Sequence, residues 1–447
     1  MLPDNWNEMT PAERQEFRLA GWASGGGMPF ATPEAKERYE AAAKRFIDVL
    51  KLRQPDIVPV ELVAAGAIAE HAGVTHHDMM YDYEKATAAT VKFHEDFDID
   101  YQAPGEMWPG PAFDRLGYML YKWPGHGVPE TQPYQAVEGE YMMADEYAEL
   151  INDSEKFMLR KYFPRVFESL GAFSMLPSFW GATELPFVPF MMTPFAIPPV
   201  QEAFEAFFDA AKLSLEFMGA FGALGGQLAA GYGIPGTLGG FSKVPFDFVG
   251  DTLRGTKGIM LDMYRRPDDV LAACDALLPM AIEFAVGNAN MSGNPFIYIV
   301  MHKGADGFMS NDDFAKFYWP GFKRLMLGII EQGAIPFNFV EGGYNSRLDV
   351  IADDGDIPPG TTMWMFDKTD LAEAKKKIGP LAAIGGNIPA SLFKAGTPEQ
   401  MRDKVRETME IAAPGGGYFM TPGAVIDNAT DANIEAYLSA GKEFGKY

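Results

Sequence analysis

The stretch "IPFNFVEGGYNSRLDVI" (335–351) decides how the chain is read. Ile335 to Val340 form an apolar run of strand length that ends at Glu341 and a Gly-Gly turn; a short helical pattern follows Arg347. The unit recurs. "FIYIVM" (296–301) precedes a helical pattern over 311–333, and "TTMWMF" (361–366) precedes one over 370–379. "LAAIGG" (381–386) precedes a helix over 397–413, opened by Thr397 as N-cap and Pro398 at the first helical position. "GYFMTP" (417–422) closes the series. Apolar strands alternating with amphipathic helices predict a parallel sheet.

Without a Gly-rich phosphate fingerprint, the five strands favour a barrel over a Rossmann sheet. "IVPVEL" (57–62), "FDIDYQ" (97–102) and "PFDFVG" (245–250) bring the total to eight. The expectation is an α/β fold, a (β/α)8 TIM barrel forming one domain over 1–447. It carries an N-terminal helical extension (1–55) and an inserted helical and Pro-rich segment (105–240). The insertion has helical patterns at 143–170 and 201–224 around "LPFVPFMMTPFAIPPV" (185–200), which its prolines keep from being regular throughout. Phe187, Phe190, Met191, Met192 and Phe195 are too apolar to face water singly. They are expected to cover a pocket or a subunit interface, so a homodimer is an open expectation.

Composition narrows the function. The 447 residues carry 37 basic and 61 acidic side chains, a net charge of −24. That argues against nucleic acid and against anionic membranes, and for a small-molecule partner. Cys274 is the single cysteine, so neither an intramolecular disulfide nor a multi-thiolate zinc site can form. The polar N-terminus reads as no signal peptide, and 217–240 is too rich in glycine for a membrane span; a cytoplasmic enzyme is expected.

Side chains just past the C-terminal ends of barrel strands converge on one pocket. Those positions hold Asp251 and Arg254; His302, Lys303 and Asp306; Glu341, Tyr344 and Arg347; Asp367 and Asp370; and Asn387. Glu341, His302, Asp306, Tyr344 and Asp367 are the candidate acid/base residues. Asp251, Arg254, Lys303, Arg347, Asn387 and His126, the last in the Pro/Gly loop "KWPGHGVP", are candidates for substrate binding. Asp251 with Arg254 could equally be a plain ion pair, and His71, His76, His77 and His94 read as structural or surface residues.

The order of these residues resembles the uroporphyrinogen decarboxylase superfamily, which includes cobalamin-linked methyltransferases. The resemblance is carried by "LKLRQPDIVPVEL" (50–62), "GGNIPASLFKAGTPEQMRDKV" (385–405) and "GGGYFMTPGAVIDNATDANIEA" (415–436), with Gly386-Asn387 in the family's late strand and Gly423 and Asn433 after the last one. It implies a (β/α)8 barrel with its site at the C-terminal mouth. Two departures stand out. The Arg-rich stretch that holds porphyrinogen carboxylates is replaced by "VPVELVAAGAIAEHAG", which argues against haem biosynthesis. The His-x-Cys of the family's zinc methyltransferases falls on Phe339 and Glu341, and the later Cys is missing.

Glu341 therefore has three readings. It ligates a metal such as zinc together with His302. It is a metal-free general acid/base whose pKa rises in an apolar mouth. Or it pairs with Arg347 or Lys303 and only stiffens the loop. The function expected is a small-molecule methyltransferase or demethylase. Any corrinoid would come on a separate protein or as free cofactor, because the Asp-x-His-x-x-Gly cobalamin motif is absent. The alternative is a decarboxylase or other lyase acting on a carboxylated small molecule, with Arg254, Arg347 and Lys303 on the carboxylate.

Overall fold

The computed structural model describes residues 2–103 and 105–447. Its centre is a six-stranded parallel sheet in chain order: β1 (Gly240–Lys243), β2 (Phe296–Met301), β3 (Ile335–Val340), β4 (Met363–Phe366), β5 (Ala383–Gly386) and β6 (Tyr418–Phe419). Beyond β6 the chain 57–64 runs alongside: Glu61 N donates to Met420 O and Met420 N to Pro59 O. The fold is thus mixed α/β on a parallel sheet.

Among the described residues the ladder does not close into eight strands. The run 245–250 is helical instead: Pro245–Asp247 is a helical turn that continues through Phe248–Leu253, and the strand lies just before it at 240–243. Pro245 supplies the reason, since its fixed φ and missing N–H suit the first turn of a helix better than a central strand. The run 97–102 is no strand either; Gln102 links it to the β1 side, its N–H donating to Pro235 O and its side-chain amide to Ile234 O.

Strand side chains alternate between two environments. Ile297, Ile299, Val340, Trp364, Phe366 and Ile384 join a core shared with the outer helices. Tyr298, Phe337, Phe339, Met365 and Phe419 face the other way, into a core closed by the N-terminal helices Pro11–Ala23 and Pro33–Leu50. Phe46 plugs that inner core, with ring contacts to Trp22, Tyr101, Phe296, Phe337 and Phe419. Both helices start from threonine N-caps with proline in the first turn. Closing the inner core at the N-terminal side leaves the C-terminal ends of the strands open.

One helix, Pro267–Ser292, is long and apolar enough to cross a bilayer by length and composition; here it packs on β1 and on the helix Trp319–Glu331. The run 217–240 falls mostly in another helix, Pro198–Tyr232, which ends at Gly233 in the left-handed conformation. The segment 185–197 is a chain of short turns around Val188–Met192, packed on itself and on the start of that helix.

Candidate active site

Strand parity carries past the strand ends. Val300, Phe339, Met365 and Gly385 lie side by side in the register, and two residues further come His302, Glu341, Asp367 and Asn387. All four therefore continue the inward-facing rows above the Phe46-plugged core. Lys243, paired with Val300, is the inward residue at the end of β1. Gly342, at φ +80°, turns the chain directly after Glu341. Gly386 lies so close to Phe366 O that any side chain there would collide with it.

His302 is the centre of the group. Its Nδ1 lies 2.6 Å from Asp251 Oδ2, and its Nε2 lies 3.9 Å from Glu341 Oε2. Lys243 Nζ and Lys303 Nζ also reach Asp251, at 2.7 and 3.0 Å. Beneath sits Asp247, fully buried, which accepts the backbone N–H groups of His302 (3.0 Å) and Lys303 (2.8 Å) and the Tyr318 hydroxyl (2.7 Å). Asp247 thus sets the loop that carries His302, and Asp251 sets its ring.

The electrostatics follow from this packing. Burial alone would lower the His302 pKa, but the hydrogen bond and charge of Asp251, with the charges of Asp247 and Glu341, hold it above its ordinary value. Burial works against Asp251 too, yet His302 and Lys243 hold its carboxyl well below the usual range. Glu341 is raised, first by desolvation and then by Asp247, Asp367 and Asp251, with His302 opposing. Its side chain is still 48% exposed, so the carboxylate is open to an incoming ligand.

Asp367 Oδ2 accepts the Gly342 N–H at 3.1 Å and so holds the Glu341 turn. Asn387 donates to Thr369 O at 2.7 Å. Asp306 accepts from Ser346 and ties two mouth loops together. Tyr344 is buried, its N–H bonded to Thr369 Oγ1 while its hydroxyl has no partner among the described residues. Asp370 caps the helix Leu371–Lys377.

Both arginines serve the framework. Arg347 is fully buried and donates to the carbonyls of Gly304, Ala305 and Met309 and to Asn311. Arg254 is spanned by Asp262 at 2.6 Å, Glu140 and the Met142 carbonyl. Neither presents a free guanidinium fork. Glu341 pairs with neither Arg347 nor Lys303; among the described residues its one ionic neighbour is His302. His126 lies 3.2 Å from Asp114 and stacks on Trp123 and Tyr81, none of which belongs to the His302 group.

Several groups were not signalled by the sequence. Asp247 and Lys243 were hidden by the displaced strand. Across the mouth, His76 Nδ1 bonds buried Glu106, and both border Asp427, whose pKa is raised by burial and by Glu106. Glu106 follows the 97–103 segment and Asp427 follows β6, so they lie at the same end of the sheet as His302. Tyr134 stands between the two groups: burial, then Glu106, Tyr121, Asp427 and Glu341, push its hydroxyl up to about 12. Trp108 and Tyr121 pack edge-on to Tyr134 and complete an aromatic wall. Deeper, Glu61 accepts from Tyr298 and Thr237, and burial pushes it up to about 6. The capping box of Thr75 with Asp78, which starts the helix His76–Tyr81, was the readable trace of the His76 placement.

A zinc ion needs three or four converging donors. His302 and Glu341 supply two, and among the described residues no group of three His, Cys, Asp or Glu side chains is placed to hold a metal. The donor set does not fit a zinc ion held by this chain.

Three likenesses to known proteins can be set beside this geometry. Residues 227–444 match the family model described as uroporphyrinogen decarboxylase (URO-D). A uroporphyrinogen decarboxylase of Actinobacillus succinogenes is 26% identical over 144 residues, which span 31% of this chain and only 39% of that protein. A methyltransferase from Methanosarcina mazei shares the fold, with a TM-score of 0.59 at 16% identity over 91% of this chain and 98% of that one. The matched region holds all six strands together with Asp251, His302, Glu341, Asp367 and Asn387, while His76 and Glu106 precede it. Residues 227–444, just under half of this chain, are thus similar to the uroporphyrinogen decarboxylase family.

Proposed function

We propose that the protein is a small-molecule methyltransferase or demethylase that works at the open end of a barrel-type fold and protonates the departing heteroatom through His302. The observation that carries this reading is the Asp251–His302 pair, 2.6 Å apart, with Nε2 turned toward Glu341. Asp251 fixes the ring and favours its charged form, the form in which Nε2–H is a proton donor. In the reaction the bond from the methyl carbon to the substrate oxygen or nitrogen breaks. The methyl group passes to an external nucleophile and the electron pair stays on the heteroatom; on an ether oxygen the Nε2 proton neutralises the alkoxide, whereas a quaternary ammonium leaves as the neutral amine, which the imidazolium can hydrogen-bond. Glu341 holds the imidazolium toward the substrate, and after transfer the neutral imidazole regains its proton from solvent, which reaches it past the half-exposed Glu341 carboxyl. A corrinoid on a partner protein or free in solution would supply the accepting nucleophile.

The engaged arginines favour this reading over a decarboxylase. A carboxylated substrate calls for a free bidentate cation, and Arg254 and Arg347 are both committed to internal partners. Lys243 and Lys303 share Asp251 between them. The mouth, with Asp247, Asp251, Glu341 and Asp367 and its wall of Trp108, Tyr121 and Tyr134, suits a neutral or cationic methylated compound.

The test uses a panel of methoxylated and N-methylated small molecules with reduced cobalamin as acceptor, read by mass spectrometry. Demethylated product that depends on His302 supports the proposal. Carbon dioxide release from a carboxylate panel, with no demethylated product, overturns it in favour of the lyase.

A further inference from the structure

Residues 178–192 place their largest apolar side chains in water. Leu185 is 87% exposed, Phe190 81%, Trp180 74%, Phe179 62% and Met192 52%. The segment is not loose: Phe179 stacks on Phe195, Phe195 on Phe204, and Gly181 lies against Met191. Below it, Leu170, Phe173, Leu176, Val200, Ala203 and Ala206 form a separate small core. A folded platform thus holds an apolar face outward. With Phe187 and Val188, 43% and 39% exposed, and taking about 200 Å² for a full large apolar side chain, the exposed fractions amount to roughly 800 Å² of apolar surface. A typical monomer leaves about 300–600 Å² in its largest patch.

We propose that this face is a homodimer interface, covered by the same face of a second copy of the chain. The area is what one partner contributes to a standard interface, about 800 Å². Its make-up of Phe, Trp, Met and Leu is that of an interface core. Charge selects the occupant. Glu184 is the one charged residue from 178 to 197, in a chain of net charge −24. Two copies can therefore meet here with little repulsion, whereas the chain as a whole carries 61 acidic against 37 basic side chains. A bilayer is a poorer match, because an interfacial helix carries Lys or Arg on its polar face and this segment has neither. An isologous two-fold contact would bring Trp180 and Phe190 of each copy onto the other.

The experiment is analytical ultracentrifugation of the full chain from 1 to 50 µM (roughly the range in which interfaces of this size associate), beside Phe190→Glu and, separately, Leu185→Glu. Both residues are open to solvent in the single chain and distant in sequence from the His302 group, so each variant should keep its circular dichroism and urea midpoint. The expected result is a dimer at twice the 49.2 kDa chain mass, with association weakened at least 100-fold in both variants. A monomer over the whole range overturns the proposal, as does a dimer that both variants leave intact. Co-sedimentation with phosphatidylcholine vesicles as a monomer assigns the face to a bilayer and equally overturns it.

Discussion

At the residue scale, His302 and Asp251 act as a unit, and pH is the way to see it. His302 has a pKa above its ordinary value of about 6.5, because Asp251 favours its charged form. The basic limb of the rate profile should therefore lie above that value. Removing the carboxylate lowers the His302 pKa, so Asp251→Asn should move the limb to lower pH and cost about 10–100-fold in turnover at neutral pH. Stability follows the same linkage. A raised folded-state pKa gives stabilisation that is fully present below about 6.5 and is lost as pH rises through the folded value. The urea-midpoint difference between wild type and Asp251→Asn should accordingly shrink between pH 6 and pH 9; a constant difference rejects the pairing. Glu341→Gln is the companion experiment. Among the described residues it has no arginine or lysine partner, so the urea midpoint should stay nearly unchanged while turnover falls by a factor on the order of 100. A Gln variant with full turnover rejects the functional role. Sequence alone could place His302 and Glu341, because each is the first polar residue after an apolar strand and strand parity carries it to the open end of the sheet. It could place His76 only at the start of a capped helix, and it could not bring Glu106 to it, because Glu106 reaches His76 through a loop path that leaves no periodic trace.

At the element scale, β2 and β3 run over the residues that periodicity predicted, 296–301 and 335–340. Both are buried on two faces and end where polarity begins. The misread element was 245–250, where an apolar run cannot by itself distinguish a strand from a buried helical turn. The consequence reached the site, since Asp247 lies inside that run and accepts three hydrogen bonds that shape the His302 loop. Arg347 marks the same limit, for a guanidinium past a strand end reads equally as a substrate clamp or as a loop anchor. Its four acceptors make it an anchor. Arg347→Ala should leave those buried groups unpaired and lower stability by about 3–5 kcal/mol, with activity lost only as the protein unfolds. Chemical denaturation and turnover on the same sample check this; a large KM increase at an unchanged urea midpoint would return Arg347 to substrate binding. Phe46→Ala, at the inner plug, should cost a similar ~3–5 kcal/mol without altering KM.

At the scale of the whole molecule, charge links solubility to substrate choice. The acidic excess of 61 over 37 side chains gives a negative field around the chain. The mouth does not reverse that field, because its cations are held: Lys243 and Lys303 by Asp251, Arg254 by Asp262 and Glu140, and Arg347 by carbonyls. An anionic ligand would have to approach against the global field and then find no free guanidinium. A cationic or neutral ligand meets Glu341, Asp367 and an aromatic wall, where a desolvated cation–π contact contributes about 2 kcal/mol. Binding of N-methylated cations should weaken as salt rises from 20 to 300 mM, since screening shortens the reach of the field from about 20 Å to about 6 Å. Binding of uncharged methoxylated compounds should not change over that range. Isothermal titration of one compound from each group, with a matched dicarboxylate as the third, is the measurement. The dicarboxylate should bind at least tenfold more weakly than either. Should it bind most tightly, and tighter still in Asp251→Asn as Lys243 and Lys303 are released, the mouth is a carboxylate site and the methyl-transfer reading falls with it.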